Sequence, residues 1–586
     1  MVEEGRFAID NFLVYQLDES GQDVVRLPVT KGEFEWEGKR NRLCWVDMTW
    51  SKFVLLGSQP LGDAVKATIV EKCASGDIGY VEKTGHLHPN KPPGTSFFGV
   101  PGYFLIYHLE RLLGIRPDGW WALDVNAWLT SVLSVGICAA LGAVLFFRLA
   151  RDFAGGAIVP ALFATFSFAF GTTYFPFATI FFDHALTAAL LIAAFYFLRQ
   201  TRHRPSLPTA LLAGACAGFA VLTNFVALLA VALLGLYALL APRPDRLRSV
   251  LAFVAGGIPP ALLLIVYSYI CYGSLRPGTD FQNPLFRDET LFLGMFTLPK
   301  SLKDLWTVFY IVKVLLYSPF RGVFWFSPVL LLSFGGLFVW ARGRLLVPEA
   351  LLCLGVFLAF FGVNSLFNGF HAGFTAGPRY LVPGLPFLAL PLVAVFAHPW
   401  WRSVAGALAV YSIAVQLVLT ATDAQNPVGV GGHARVENRH KDWKYDLLGE
   451  YAVPLFFQGK AWPLLRQQVE VELDKFEQKM DDEGLDAVER QARREAFRAE
   501  LIEAIKQGRP SPFLLGSITG PVSVNPIGAF EGLLTYQFFQ PGSPQVQWAS
   551  FNLGELLFPQ SRWSLVPLLL LTGALSAWAI RRGSAQ

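Results

Sequence analysis

The stretch "TALLAGACAGFAVLTNFVALLAVALLGLYALL", residues 209–240, has a single internal polar break, Thr223-Asn224. A lipid hydrocarbon core of roughly 30 Å is crossed by about 20 apolar residues, so this run is too long for one ordinary span. Dividing it at the Thr223-Asn224 pair gives two segments joined by a re-entrant turn. With that division the chain reads as eleven hydrophobic spans: 125–150, 157–177, 183–199, 209–222, 224–241, 249–272, 323–341, 348–367, 379–397, 403–420 and 564–580. The expected fold is an all-α polytopic membrane protein.

Composition agrees. The 586 residues are 53% hydrophobic and 16% charged, with a mean hydropathy of +0.42, whereas soluble domains run near a quarter charged. The formal charge of +4 carries little information, because basic residues in membrane proteins act by position and not by sum. No basic patch with interleaved aromatics lies outside the short loops, which argues against a nucleic-acid partner.

The loops give the sidedness. "RLARD" (148–152), "RQTRHRP" (199–205), "PRPDRLR" (242–248), "ARGR" (341–344) and the terminal "RRGSAQ" all fall on one side of the spans. The positive-inside rule makes that side cytoplasmic. The loops at 178–183, 273–322 and 368–379, the segment 421–563 and everything before residue 125 then face the other way. The opening "MVEEGRFAIDN" has neither a basic n-region nor an apolar core and is no signal peptide. The expectation is a further span ahead of Met1, for twelve spans with both termini cytoplasmic.

The domain boundaries follow: an extracytoplasmic first loop (1–124), a transmembrane core (125–420), a small extracytoplasmic α-rich domain (421–563), and a last span with a cytoplasmic tail (564–586). Within 421–563, Val469, Leu473, Phe476 and Met480 recur at helical spacing, as do Val488, Ala492, Leu501 and Ile505. "DDEG" at 481–484 separates them into a hairpin whose charges read as a solvated face. Two amphipathic stretches, "TSFFGVPGYFLIYHLERLLG" (95–114) and "LKDLWTVFYIVKVLLYSPFRG" (302–322), read as helices lying along the outer leaflet, where Trp and Tyr favour the headgroup level. The six cysteines show no metal-ligand spacing. Cys138, Cys216, Cys271 and Cys353 read as small buried hydrophobes, while Cys44 and Cys73 stand either as free thiols or as a disulfide.

Ionisable groups at the ends of spans are costly unless they pair or work. Four places stand out, all on the outer side: Asp183-His184 in "FATIFFDHALTAALL"; Arg321 in "SPFRGVFWFSP"; His371, Arg379 and Tyr380 in "GFHAGFTAGPRYLVPGLP"; and Lys91 with His86 and His88 in "GHLHPNKPPG". The basic members suit an anionic headgroup, Arg as a bidentate fork and Lys as a point charge. Pro92 and Pro93 hold Lys91 with little entropy left to lose on binding. A carboxylate suits the general base that deprotonates an acceptor hydroxyl. Each group also has a structural reading: Asp183 as a helix cap, Arg321 and Arg379 as snorkelling side chains or contacts to ordinary phospholipid. His86 and His88 are the candidates for a divalent metal, although no third partner accompanies them.

"HPNKPPG" resembles the "KPP" motif of GT-C glycosyltransferases, among them the protein O-mannosyltransferases and the lipid A aminoarabinose transferases. The similarity continues through "FFDHALTAALLIAAFYFL", "GACAGFAVLTN", "SPFRGVFWFSP" and "GPRYLVPGLPFLALPL", covering about residues 80–420. The resemblance implies a GT-C-like helix bundle. It also implies inverting transfer of a sugar from a polyprenyl-phosphate donor to a glycan, lipid or protein acceptor on the extracytoplasmic face. In such enzymes an acidic residue of the first extracytoplasmic loop is the base, which here points to Asp10 and Asp47. Lys91 and Arg379 are implied at the lipid phosphate, and Asp183 with His184 at the acceptor. The competing expectations are a flippase for lipid-linked sugars, which calls for charges near the bilayer midplane and inverted repeats, and a catalytically inactive relative.

Overall fold

The computed structural model describes residues 1–17 except 13, strands within 24–57, and Phe296. It also describes 78–275 and 299–422 with gaps at 82, 90, 118–119, 241–245, 344–345, 368, 371, 373–374 and 376, then 446–453, 487–506 and part of 566–581. His371, Cys73 and the first arm of the expected 469–505 hairpin lie outside the described residues. The second arm forms a helix, Ala487–Lys506.

Among the described residues, seven short strands in three antiparallel sheets stand ahead of the helices: β1 (Val14–Leu17) with β2 (Val24–Leu27); β3 (Glu33–Trp36), β4 (Lys39–Asp47) and β5 (Lys52–Gly57); and β6 (Ile78–Val81) with β7 (His86–Pro89). Register in the last pair runs from Ile78↔Pro89 to Val81↔His86. From residue 94 onward the described chain is helical: α1 (Gly94–Leu112), α2 (Trp120–Ser131), α3 (Ile137–Phe153), α4 (Ile158–Ala169), α5 (Tyr174–Ala178), α6 (Asp183–His203), α7 (Leu207–Thr223), α8 (Ala227–Leu239) and α9 (Arg246–Tyr272). There follow α10 (Leu302–Tyr317), α11 (Val323–Phe326), α12 (Leu332–Arg342), α13 (Val347–Leu366), α14 (Leu385–Ala389), α15 (Leu392–Phe396) and α16 (Pro399–Thr422), with Ala487–Lys506 as α17.

By length and composition, four helices among the described residues can cross a membrane: Val125–Phe153, Arg246–Tyr272, Val347–Leu366 and Pro399–Ala421. Four more apolar helices are shorter: Ile158–Ala169, Leu207–Thr223, Ala227–Leu239 and Pro328–Arg342. The chain is therefore polytopic, yet several expected spans are not single long helices. Segment 379–397 is the clearest case. It forms a 3-10 turn over Arg379–Gly384 followed by α14 and α15, because Pro383, Pro386 and Pro391 each remove a helix donor. It is buried almost throughout, from Leu381 to Val393, so neighbouring helices stand in for the missing backbone order.

The division of 209–240 falls where the polar pair predicts. α7 ends at Thr223, its C-cap is Asn224, and α8 begins at Ala227. α7 packs closely on α9 because Gly214 and Gly256 leave room for backbone. A Cβ on Gly214 would stand 1.8 Å from the Phe253 carbonyl oxygen, the small-residue contact common between membrane helices. The core beneath is aromatic, with Phe146, Phe168, Phe177 and Phe195 fully buried between α3, α4, α5 and α6.

The two amphipathic stretches are both helices. α1 runs unbroken through Pro101, burying Gly102, Ile106 and Glu110 while exposing Phe104, Leu105, Leu109 and Leu112. α10 starts with a capping box between Ser301 and Asp304, buries Ile311, Val314 and Leu315, and exposes Trp306, Phe309 and Tyr317.

Candidate active site at the Asp183 end of the bundle

The first turn of α6 carries Asp183 and His184. Phe182, not Asp183, occupies the N-cap position, so the capping role open to Asp183 from its position is not the one it takes. Its Oδ2 instead accepts a hydrogen bond of 2.7 Å from Asn224 Nδ2, at the α7–α8 break. The Asn224 Oδ1 meanwhile accepts from the Val226 backbone N–H at 3.0 Å, so one side chain both turns the chain and orients the carboxylate. One turn deeper, Thr187 and Thr223 hydroxyls meet at 2.8 Å.

The KPPG loop lies on the same break. Gly94 opens α1 and is buried, and a Cβ there would stand 2.6 Å from the Leu222 carbonyl carbon and from the Thr223 backbone nitrogen. Only glycine permits this approach of backbone to backbone. The two prolines ahead of it leave Lys91 exposed at the edge of the Asp183 group. Lys91 and Arg379 both lie within electrostatic reach of the His184 ring, as does the Asp183 carboxylate.

His184 is 3% exposed. Its Nδ1 sits 3.3 Å from Asp183 Oδ2 but meets no hydrogen-bond partner in acceptable geometry. Its ring packs edge-on to Phe177 and Tyr380, at 5.5 Å and 5.7 Å, and parallel to Phe182. The Arg379 guanidinium lies 5.2 Å from the centre of the Phe182 ring and 5.4 Å from that of Tyr380. Lys91, Asp183, His184, Arg379 and Tyr380, scattered over nearly 300 residues of sequence, are thereby gathered at one end of the bundle.

Arg321 is completely buried, its guanidinium 3.8 Å from the Phe320 ring centre and its Nη1 donating to the Phe320 carbonyl at 2.9 Å. A snorkelling role is excluded by that burial.

Asp10 and the two histidines form a neighbouring group on the β6–β7 hairpin. Asp10 is 5% exposed, accepts the Leu87 backbone N–H at 2.8 Å through Oδ1, and holds His86 Nδ1 at 2.8 Å through Oδ2. Arg6 Nη1 lies 3.6 Å from the same oxygen. His88 is buried beside Tyr272 and the Phe7 backbone, with Nε2 3.4 Å from the Thr84 hydroxyl. Desolvation lowers its pKa from the ordinary 6.5 to about 4. The hairpin is anchored on the end of α9 by Lys83 Nζ on the Gly273 carbonyl at 2.6 Å and by the Tyr272 hydroxyl on the Pro89 carbonyl. Among the described residues no cluster of three or more His, Cys, Asp or Glu is placed to hold a metal ion. Asp47 ends β4, opposite Lys52 at an irregularity in the ladder.

Sequence reasoning passed over two carboxylates and an amide. Asn224 was visible as a polar interruption but not as a partner for Asp183. Glu3, whose Oε1 accepts from the Tyr103 hydroxyl of α1 at 2.7 Å, gave no signal beyond its charge. Glu349, in the first turn of α13, is 1% exposed; a carboxylate inside an apolar run was the available clue.

No known family model matches the chain, and no curated protein sequence does so. Among solved structures it is similar to ArnT from Cupriavidus metallidurans in the apo state, at 20% identity and a TM-score of 0.35, over 54% of this chain and 51% of that one. It is also similar to ArnT from the same organism bound to undecaprenyl phosphate, at 18% identity and a TM-score of 0.34, over 62% of this chain and 67% of the other. The chain thus spans about half the length of the first of these. Both scores are low, and the residues of the site carry the reading that follows.

Proposed function

We propose that this chain is an inverting glycosyltransferase that takes a sugar from a polyprenyl-phosphate donor and passes it to an acceptor at the extracytoplasmic face of the membrane. The observation that carries the reading is the placing of two cations, Lys91 and Arg379, around a carboxylate–imidazole pair, Asp183 and His184, at one end of an apolar helix bundle. A buried histidine with an unsatisfied Nδ1 calls for an explanation, and a substrate hydroxyl or phosphate oxygen supplies one.

In the proposed step the acceptor O–H gives its proton to a carboxylate. Asp183 is the first candidate because it is partly open and oriented by Asn224. Asp10 is the second, already engaged by His86 and the Leu87 amide, and Asp47 the third. The acceptor oxygen bonds to the anomeric carbon as the bond from that carbon to the phosphate oxygen breaks. The electron pair leaves with the lipid phosphate, and Lys91 and Arg379 stabilise its charge. His184 and Tyr380 complete the substrate surface, with His371 as a further member, while His86 and His88 shape the neighbouring hairpin; Arg321, completely buried, is left out of it. In this reading the site end faces outward, eleven segments traverse or enter the bilayer, and α1 and α10 rest on the outer leaflet. Residues 421–563 form a separate outer domain.

The test is transfer from a radiolabelled polyprenyl-phosphate sugar in proteoliposomes, comparing the native chain with Lys91→Ala. Loss of about a hundredfold in turnover is expected. Undiminished transfer removes Lys91 from the mechanism, and movement of donor across the bilayer without transfer replaces the enzyme with a flippase.

A further inference from the structure

Helix α6 carries a second ionic cluster at its opposite end. Arg199 Nη1 donates to Glu349 Oε1 at 2.7 Å and Arg202 Nη1 to the same oxygen at 3.1 Å. The Tyr237 hydroxyl, near the end of α8, donates to that oxygen at 2.8 Å. Arg199 Nε also reaches Asp152 Oδ2, at the end of α3, at 2.9 Å, and His203 Nε2 lies 3.5 Å from it. The guanidiniums are stacked, Arg199 over Phe153 and Arg202 over Tyr237, each at 4.8 Å. A carboxylate buried this deeply is expensive to desolvate, and well-packed hydrophobic residues in place of such a cluster are often as stabilising or more so. Its use therefore lies in what it joins.

It joins the same helices that build the site. α6 runs from Asp183 to Arg199 and Arg202, and α8 from the Asn224 turn to Tyr237. α13 runs from Glu349 to Leu366, beside Phe367, whose ring meets Tyr380 at 5.7 Å. The turn Arg379–Gly384 packs against both α6 and α13. At 1.5 Å per residue, Asp183 to Arg199 spans about 24 Å and Glu349 to Leu366 about 26 Å. The two arms match, so an axial slip at the Glu349 end becomes an equal slip at the site.

We propose that Glu349, Arg199, Arg202 and Tyr237 form a positioning clasp that fixes the axial register of α13 and the 379–384 turn against α6 and α8, and so places Arg379 and Tyr380 on Asp183 and His184. The proposal rests on the reading of that end as the transfer site. Glu349→Gln keeps the shape and removes the charge; Tyr237→Phe removes one donor. Hydrogen–deuterium exchange on the intact protein in nanodiscs is followed at 377–384, alongside transfer kinetics.

Glu349→Gln is expected to speed exchange at 377–384 and to lower turnover about tenfold, with the donor KM changed by less than about threefold. Tyr237→Phe moves both in the same direction by less, and decides alone if the first variant does not accumulate. Exchange that quickens only at 199–203 and 347–353, with turnover unchanged, makes the cluster a local fastener and overturns the proposal. A native chain that transfers no sugar overturns the functional reading instead, and exchange at 377–384 still decides the clasp.

Discussion

The two ends of α6 handle ionisable groups in opposite ways. At the Glu349 end a single buried carboxylate oxygen accepts from two arginines and a tyrosine, and the arginines are pressed onto aromatic rings. At the Asp183 end the carboxylate is partly open, one neighbour is an amide, and the imidazole beside it has an unsatisfied nitrogen. Each end leaves one buried polar atom without a partner, Glu349 Oε2 and His184 Nδ1, so the ends differ in the exposure of the carboxylate and in the cations bonded directly to it. The more open carboxylate is secured by other means, here the Gly94 contact and the Asn224 turn.

That contrast can be broken at four points. Asp183→Asn should have the largest effect on activity, a fall of about 10²- to 10⁴-fold in turnover, with the thermal midpoint in detergent unmoved; a loss of stability with activity retained would make Asp183 a fastener too. Glu349→Ala should lower turnover less than Asp183→Asn does, through the register of α13, and should lower stability more. It leaves the half-buried Arg202 without its carboxylate and Arg199 with Asp152 alone, and should destabilise the fold by about 3 kcal/mol, read from thermal or denaturant unfolding. Gly94→Ala tests the scaffold between them. The new methyl meets backbone at 2.6 Å, so a cost of about 1–3 kcal/mol is expected, together with reduced donor binding as Lys91 is displaced.

The smallest effect concerns His88. Its folded pKa of about 4 lies below the unfolded 6.5, so the unfolded chain binds the extra proton first. The hairpin's stability is then full above pH 6.5 and is lost as the pH falls from there toward 4. Limited proteolysis of the β6–β7 hairpin should rise over that window, and His88→Gln should flatten the dependence. The charged and titratable groups around it, Asp10, His86 and Tyr272, remain in the variant.

Much of the helix layout was legible one segment at a time. The Thr223-Asn224 break, α9, α13 and α16 follow from hydropathy alone, since the lipid core rewards long apolar runs and punishes unpaired polar backbone. Segment 379–397 was misread as one span because its composition is apolar throughout, while its prolines act on geometry that a hydropathy sum does not register. For the site, Lys91, Asp183, His184, Arg379 and Tyr380 could be selected as polar groups at the ends of apolar segments. Arg321 was selected by the same rule, yet the fold buries it completely on Phe320.

The sequence by itself determined where apolar segments begin and end, where glycine and proline force turns, and which ionisable residues stand out against that background. These are local properties, set by the few residues on either side. Tertiary structure alone decided the partnerships. Asn224 reaches Asp183 across 41 residues and Glu349 reaches Arg199 across 150. No periodicity encodes such pairs, because they depend on how α6, α8 and α13 lie against one another.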